Sequence, residues 1–246
     1  MKNKIIKLII AVFIISITLF GVSMCQKNRE RGELARKIFA LGGGVQTATI
    51  DDIKASIAAY ERQIDRFVET AAKTGMYWKI LASRLQDRGL HGEALEALTR
   101  AIYYSPEDPA LHYSTGISAG IIAKSAHDYP GRENVERAEY NKLAEQAFLR
   151  AIELDSRYLR PRYSLGVLYA FELDRPEEAI PHLELCLEIS KNDVDTMFVL
   201  ARAYYMKRDF QAALDLYDRI ISITRVEQKK VDARNNRQLI LEQMNG

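Results

Sequence analysis

Small residues recur at matched places through the middle of the chain, and this recurrence restricts the folds that it can adopt. A first set consists of Ala82, Gly116, Gly166 and Ala201. A second set, which follows the first after an intervening turn, consists of Ala94, Ala144, Ala179 and Ala213. Two packed helices require such residues, because their axes approach to about 8–10 Å only where the side chains at the contact are small. The pattern therefore predicts a stack of helix pairs.

Larger residues accompany the small ones at a constant spacing. The first unit begins at Gly75 and contains Trp78, Leu81, Ala82, Ala94, Leu98, Ala101 and Pro106. This spacing resembles the tetratricopeptide repeat, which has the pattern W-x2-L-G, A-x3-F and P in about 34 residues. Later units depart from it at the Trp place, where His112, Arg162 and Met197 stand. The resemblance implies an all-α fold, a superhelix or α-solenoid of antiparallel helix pairs with flanking capping helices.

The repeats divide the chain into an array with attachments at both ends. Four repeats are predicted, at residues 75–108, 109–158, 159–193 and 194–225. Residues 26–74 are predicted to form an irregular helical pair, or a degenerate leading repeat, whose second helix begins near Thr49 and ends near Thr70. Residues 226–246 are predicted to form a capping helix with a narrow apolar stripe of Val226, Ala233 and Ile240. Such caps are expected because the end of a repeat stack otherwise exposes an apolar face.

The second repeat is longer than its neighbours. About 16 residues more than the usual period of a tetratricopeptide repeat lie between Gly116 and Ala144, so both of its helices are expected to be about two turns longer. Residues 122–143 would then project from the stack. Two interpretations remain open, a tolerated surface insertion and an element for partner binding or self-association.

The first 25 residues form a membrane-targeting segment. Three lysines precede an uncharged run of 18 residues from Leu8 to Cys25, which would span about 27 Å as a helix. Val22, Ser23 and Cys25 resemble the signal of a bacterial lipoprotein, in which the cysteine is diacylated, although Met24 departs from it. The alternatives are an uncleaved helical anchor and simple secretion. A lipid or helical anchor would hold the body of the chain in the periplasm.

No pattern of catalytic or metal-binding residues is present. The four histidines His91, His112, His127 and His182 lie outside HExxH and GxSxG motifs and are expected to have structural roles. Cys186 is expected to be a small buried hydrophobe. The net charge of +2 falls to −1 without the three lysines of the leader, which leaves no electrostatic footprint for nucleic acid. The sequence predicts a protein that is not an enzyme and has no cofactor or metal.

The resemblance also implies a binding groove, because the family binds peptides on a concave surface lined by the first helix of each pair. The inward places are Lys79, Tyr113, Ile117, Ile121, Tyr163, Val167, Phe171, Phe198, Arg202 and Tyr205. The carboxylate clamp of the family is not reproduced, since only Lys79 fits and Ser83 stands where asparagine is expected. An aromatic and aliphatic groove suits an amphipathic helix or an apolar extended segment. The competing hypothesis is that the terminal helices of the chain occupy the groove.

These features predict an adaptor that is tethered to a bacterial envelope membrane and binds a segment of an envelope protein in the groove. The alternative is a ligand-binding auxiliary subunit of a solute transporter, in which the groove closes into an apolar cavity.

Overall fold

The computed structural model describes residues 49–125 and 133–245. Within these ranges the chain consists of helices and has no strand. The helices are α1 (Ile50–Asp87), α2 (His91–Tyr104), α3 (Pro109–Ser125), α4 (Glu133–Leu154), α5 (Leu159–Val167), which continues into a π-helical turn (Leu168–Glu172), α6 (Pro176–Ile189), α7 (Val194–Met206), α8 (Phe210–Ile223) and α9 (Glu227–Asn245). Contacts between Cα atoms divide the chain into two compact units, Met1–Phe67 and Val68–Gly246.

Helix α1 begins at a reciprocal cap. The backbone N–H of Asp52 donates to Thr49 Oγ1 at 3.2 Å, and the backbone N–H of Thr49 donates to Asp52 Oδ2 at 3.1 Å. Hydrogen bonds from Thr49 lower the pKa of the Asp52 carboxyl. These bonds satisfy two N–H groups that have no partner within the helix. The helix start predicted near Thr49 is confirmed.

The end predicted for this helix, near Thr70, is wrong. Helix α1 continues without a break to Asp87 and so includes Trp78 and Ala82. A single glycine costs a helix only about 1 kcal/mol, and no proline lies between Thr70 and Asp87. Gly75 instead serves packing, because a Cβ at this position would lie 2.7 Å from Cβ of Tyr104 on α2.

The second unit stacks its helices in antiparallel pairs, and the small residues lie where the helices meet. The four alanines of the second set are each 0% exposed, and Ala82 and Ala201 are at most 1% exposed. Gly116 and Gly166 face Phe148 and Leu183 so closely that neither position has room for a Cβ. The predicted tight crossings are confirmed.

Three apolar clusters follow one another along this stack. The first surrounds Leu98 and Leu111, with Trp78 half-buried at its edge. The middle cluster includes Phe148, Leu183 and Leu200. The third includes Met197, Ile220 and Ile240. A core shared only between neighbouring repeats is typical of solenoids.

Cys186 behaves as the sequence predicts. It is 2% exposed, and its Sγ lies 3.7 Å from the carbonyl oxygen of Leu159. Burial raises the pKa of this thiol to about 11. The side chain is therefore a packing element rather than a reactive nucleophile.

The second repeat has long helices. Helix α4 has 22 residues and α3 has 17, whereas α2, α6 and α8 have 14 each. Residues 126–132, at the tip of the predicted projection, lie outside the described ranges. A role of residues 122–143 in self-association stays a prediction.

Helix α9 caps the C-terminal end of the stack. Ala233 and Ile240 are buried, whereas Val226 precedes the helix and is 52% exposed, so the predicted stripe is wrong at Val226. Arg237 Nε lies 2.7 Å from Asp218 Oδ1 on α8, and Lys229 Nζ lies 2.7 Å from Asp195 Oδ1 on α7. Apolar burial and charge pairing together hold α9 against the last repeat.

No helix in residues 49–125 and 133–245 is long and apolar enough to cross a membrane. The predicted leader and its candidate lipidation residue, Cys25, lie outside these ranges.

Candidate functional site

A pocket of about 310 Å³ opens on the last repeat, and we call it the C-terminal pocket. Its lining consists of Phe171, Phe198, Arg202, Tyr205, Tyr217, Asn236, Leu239 and Ile240. The π-helical turn, α7, α8 and α9 all contribute side chains. The surface is mostly aromatic and aliphatic, with one cationic group and one amide.

Helix α7 contributes the floor of this pocket. Phe198, Arg202 and Tyr205 follow one another at spacings of four and three residues, which places them on a single helix face. Other residues of α7, such as Val199 and Ala203, are buried in the middle cluster. The amphipathic pattern of α7 therefore turns the aromatic face toward the pocket.

The π-helical turn places Phe171 opposite α7. The preceding residues Leu168, Tyr169 and Ala170 are buried, whereas Phe171 is 48% exposed. After the turn the backbone reverses at Asp174, which has a φ of 52°, and α6 starts at Pro176. Such turns occur mostly as single insertions in α-helices and are frequent at functional sites.

Arg202 links α7 to the π-helical turn on the opposite side of the pocket. Its Nε donates to the carbonyl oxygen of Ala170 at 3.2 Å, and its Cζ lies 4.4 Å from the centroid of the Phe171 ring. The cation–π contact and the hydrogen bond hold the guanidinium in one orientation. Its Nη groups donate no hydrogen bond within residues 49–125 and 133–245, which leaves donors for a ligand at the pocket.

Helices α8 and α9 complete the wall. Tyr217 is 5% exposed, and its ring centroid lies 6.0 Å from that of Phe198. Burial raises the pKa of Tyr217, while a hydrogen bond with Asn236 acts in the opposite direction. Leu239 remains 61% exposed at the rim, whereas Ile240 is buried beneath it.

The structure brings together four of the ten predicted groove residues, namely Phe171, Phe198, Arg202 and Tyr205. Four others, Tyr113, Ile117, Tyr163 and Val167, are half-buried and pack against the middle cluster. Lys79 pairs with Asp108 at 2.6 Å, and Ile121 is 40% exposed. The aromatic contacts of Tyr113, with Phe148 and Tyr158, further show that this part of the predicted surface is engaged within the stack.

Sequence reasoning did not include Tyr217, Asn236 and Leu239 among the pocket residues. Ile240 belongs to the predicted stripe of the cap, and in the structure it both packs in the third cluster and lines the pocket. Helix α9 supplies one wall of the C-terminal pocket, and the hypothesis that a terminal helix occupies the groove stays a prediction. The signal available was the apolar Leu239-Ile240-Leu241 run in an otherwise polar helix.

The described histidines make ordinary structural contacts. His112 Nε2 lies 2.8 Å from the carbonyl oxygen of Pro106, and His91 Nδ1 lies 3.5 Å from Ser118 Oγ. His182 is half-buried beside Tyr169, and burial lowers its pKa. His127 lies outside the described ranges. No group of three His, Cys, Asp or Glu side chains that could hold a metal ion occurs in the part of the chain that the structure describes.

Residues 170–229, which include the floor of the C-terminal pocket, match the family model of the tetratricopeptide repeat (TPR). The chain folds as a TPR superhelix. The TPR repeat-containing protein of Borreliella burgdorferi is 21% identical over 219 residues, which cover 88% of this chain and 93% of that protein. Anaphase-promoting complex subunit 3 of Schizosaccharomyces pombe is 28% identical over 152 residues, which cover 62% of this chain but 20% of that larger protein.

Solved structures show the same TPR arrangement. YrrB, described as a TPR protein with an unusual peptide-binding site, aligns with a TM-score of 0.57 and 17% identity over 74% of this chain and 83% of its own. MamA from Desulfovibrio magneticus RS-1 aligns with a TM-score of 0.54 and 15% identity over 70% of this chain and 92% of its own. At these identities the likeness establishes the fold alone. None of these similarities supports the alternative of a transporter subunit.

Proposed function

We propose that this TPR protein is a non-catalytic scaffold, tethered to a bacterial envelope membrane, that binds an apolar segment of a protein partner in the C-terminal pocket. The TPR fold by itself suggests a scaffold for protein–protein interaction. The observation that carries the finer proposal is the convergence of Phe171, Phe198, Tyr205 and Arg202 around one pocket.

The size of the pocket fits a side chain of a partner. Its volume of about 310 Å³ is at the lower end of the range of about 300–1,000 Å³ for ligand sites. Aromatic residues and arginine supply most of the binding energy at protein interfaces, especially in pockets that exclude water. An aromatic or branched aliphatic side chain would pack between Phe171 and Tyr205.

Arg202 would orient the bound segment through hydrogen bonds. Because Phe171 and Ala170 hold the guanidinium, its Nη groups can donate to a backbone carbonyl or a carboxylate of the partner without a large loss of side-chain entropy. A segment that combines an apolar side chain with a nearby acceptor oxygen would satisfy both parts of the site.

Partner capture identifies the segment. A photoreactive phenylalanine at Tyr205 should crosslink one partner in native membranes, whereas the same residue at Tyr103 should not. Tyr103 is 79% exposed and lies on α2, remote from the pocket in sequence. A synthetic peptide that spans the crosslinked site then serves as the probe for affinity measurements.

Removal of the aromatic side chains of the pocket should strongly reduce the affinity for this peptide. We expect Phe171→Ala and Tyr205→Ala each to raise the Kd about 30-fold or more, because truncation of a central aromatic anchor costs about 2 kcal/mol or more. Tyr103→Ala is the matched control and should leave the Kd unchanged. Both pocket side chains are more than a third exposed, so circular dichroism should show an intact fold. An unchanged Kd in both pocket variants would place the site elsewhere.

The tether is supported by the three lysines and the 18 uncharged residues at the N-terminus. Confinement to a membrane raises the effective concentration of the scaffold near envelope partners. We expect the full chain to partition into the detergent phase of Triton X-114, and Cys25→Ser to move it to the aqueous phase if a diacyl lipid is the anchor. A Cys25→Ser variant that stays in the detergent phase identifies a helical anchor instead, and a wild-type protein in the aqueous phase contradicts the tether.

A further inference from the structure

The N-terminal part of α1 carries a row of large apolar side chains, which we call the α1 stripe. It consists of Ile50, Ile53, Ile57, Tyr60, Ile64 and Phe67. The intervals between them alternate strictly between three and four residues. Such alternation assigns Ile50, Ile57 and Ile64 to the a positions and the other three to the d positions of a coiled-coil heptad. A helix that packs only within a globular core rarely keeps this narrow seam.

Most of the stripe is exposed to solvent. Ile50 is 72% exposed, Ile57 51%, Ile64 59% and Phe67 67%. None of these residues belongs to the three apolar clusters among the described residues. A continuous apolar row of this kind marks an interaction surface rather than a chance exposure.

We propose that a second copy of this chain covers the α1 stripe, in an antiparallel coiled coil of two α1 segments related by a twofold axis. The axis would pass between Ile57 and Tyr60. This inference concerns residues 50–67 alone and does not depend on the function proposed for the C-terminal pocket.

The antiparallel register pairs every member of the stripe. Ile57 faces Tyr60 of the second copy, Ile53 faces Ile64, and Ile50 faces Phe67. Each layer then combines an a position with a d position, as antiparallel two-stranded packing requires, and the twofold axis repeats each layer. The six layers extend along about 26 Å of helix.

The charges beside the stripe favour the same register. Lys54 and Glu61 occupy successive e positions, and both side chains are exposed. In the antiparallel pair, Lys54 faces Glu61 of the second copy and Glu61 faces Lys54, which gives two opposite-charge pairs. Within the described residues, neither takes part in an ion pair. In a parallel pair they would face the uncharged g residues Thr49 and Ser56, so this charge complementarity would be lost.

The chain itself offers a less complete cover. The segment of residues 28–41 has four large apolar side chains, Leu34, Ile38, Phe39 and Leu41, for a stripe of six. A second copy supplies all six and satisfies both charges. The second copy is therefore the better match.

Charge reversal tests the orientation in the full chain. Sedimentation equilibrium in density-matched detergent should show a concentration-dependent dimer. Lys54→Glu or Glu61→Lys should raise the dimer dissociation constant about tenfold, because each converts two opposite-charge pairs into two like-charge pairs. The double variant should restore the wild-type constant. Arg62→Glu, at the outward f position, is the matched control and should have little effect.

Cysteine crosslinking tests the register. In a Cys25→Ser and Cys186→Ala background, a mixture of Lys54→Cys and Glu61→Cys chains should form a disulfide between the two variants, and neither variant should crosslink efficiently alone. Efficient crosslinking of an Ile50→Cys chain to itself would show a parallel pair and overturn the proposal, because equivalent a positions face each other only in a parallel coiled coil. A monomer at every concentration would also overturn it, and Ile57→Asp would then report the true occupant. Reduced thermal stability of that monomer would indicate the chain's own residues 28–41, and unchanged stability would indicate a different protein.

Discussion

Leu183→Ala is expected to lower the free energy of unfolding by about 2–5 kcal/mol, the range for a large aliphatic residue truncated in a core. Leu183 is 0% exposed, lies on α6 and belongs to the middle cluster. Its side chain fills the space in front of Gly166 on α5, so truncation leaves a cavity at the crossing. Urea denaturation of residues 26–246, followed by circular dichroism, measures the change.

The facing glycine makes this prediction more specific. A Cβ on Gly166 would lie 2.5 Å from Cδ2 and 2.6 Å from Cγ of Leu183. We expect Gly166→Ala alone to destabilise by about 1–3 kcal/mol through overpacking. In the double variant the new methyl group has no Leu183 side chain to meet, so the loss should be smaller than the sum of the two single losses by about 1 kcal/mol or more. Additive losses would show that the two positions do not share this space.

Gly116→Ala and Gly120→Ala are expected to change stability in opposite directions. Both glycines lie on α3, one turn apart. A Cβ at Gly116 would lie no more than 2.9 Å from three atoms of the Phe148 ring, which is 3% exposed and has little freedom to move. We expect this substitution to lower the free energy of unfolding by about 1–3 kcal/mol.

Gly120 supplies the matched control. Apart from the adjacent residues and the backbone of α3 itself, no atom lies within 4 Å of the place that a Cβ would take there. Alanine at this position should stabilise the protein by up to about 1 kcal/mol, because it forms helix more readily than glycine. Thermal unfolding of both variants under the same conditions shows whether each substitution raises or lowers the stability. Two changes of the same sign would contradict the close approach at Gly116.

The features of the fold that follow from close approach were predictable from the sequence. Ala94, Ala144, Ala179 and Ala213 recur because each marks a contact between two helices, and each is fully buried. A close contact between two helices requires a small side chain at that position, whatever the rest of the chain does. The spacing of small residues in the sequence therefore predicts these contacts directly.

Features that depend on the balance between neighbouring segments were not predictable in the same way. The glycine at position 75 could have ended a helix, but here it lies within α1 because Tyr104 approaches it. The π-helical turn at Leu168–Glu172 has no glycine or proline within it to mark it. Both depend on tertiary packing, which overrides weak local preferences.

The candidate site also has some features that the sequence predicts and others that depend on tertiary packing. Helix periodicity places Phe198, Arg202 and Tyr205 on one face of α7, and the structure has all three in the pocket lining. The same reasoning treats each first helix as equally available, whereas Tyr113 and Tyr163 pack against the middle cluster. Periodicity identifies a face but does not determine how much of it the neighbouring repeat covers.

The wall that α9 contributes links recognition to the closure of the last repeat. A ligand in the C-terminal pocket would touch Phe198 and Arg202 on one side and Asn236 and Leu239 on the other. Whatever loosens α9 would therefore release the ligand, and the bound ligand would in turn hold α9 in place. The affinity for the ligand and the stability of the packing of α9 would therefore increase or decrease together.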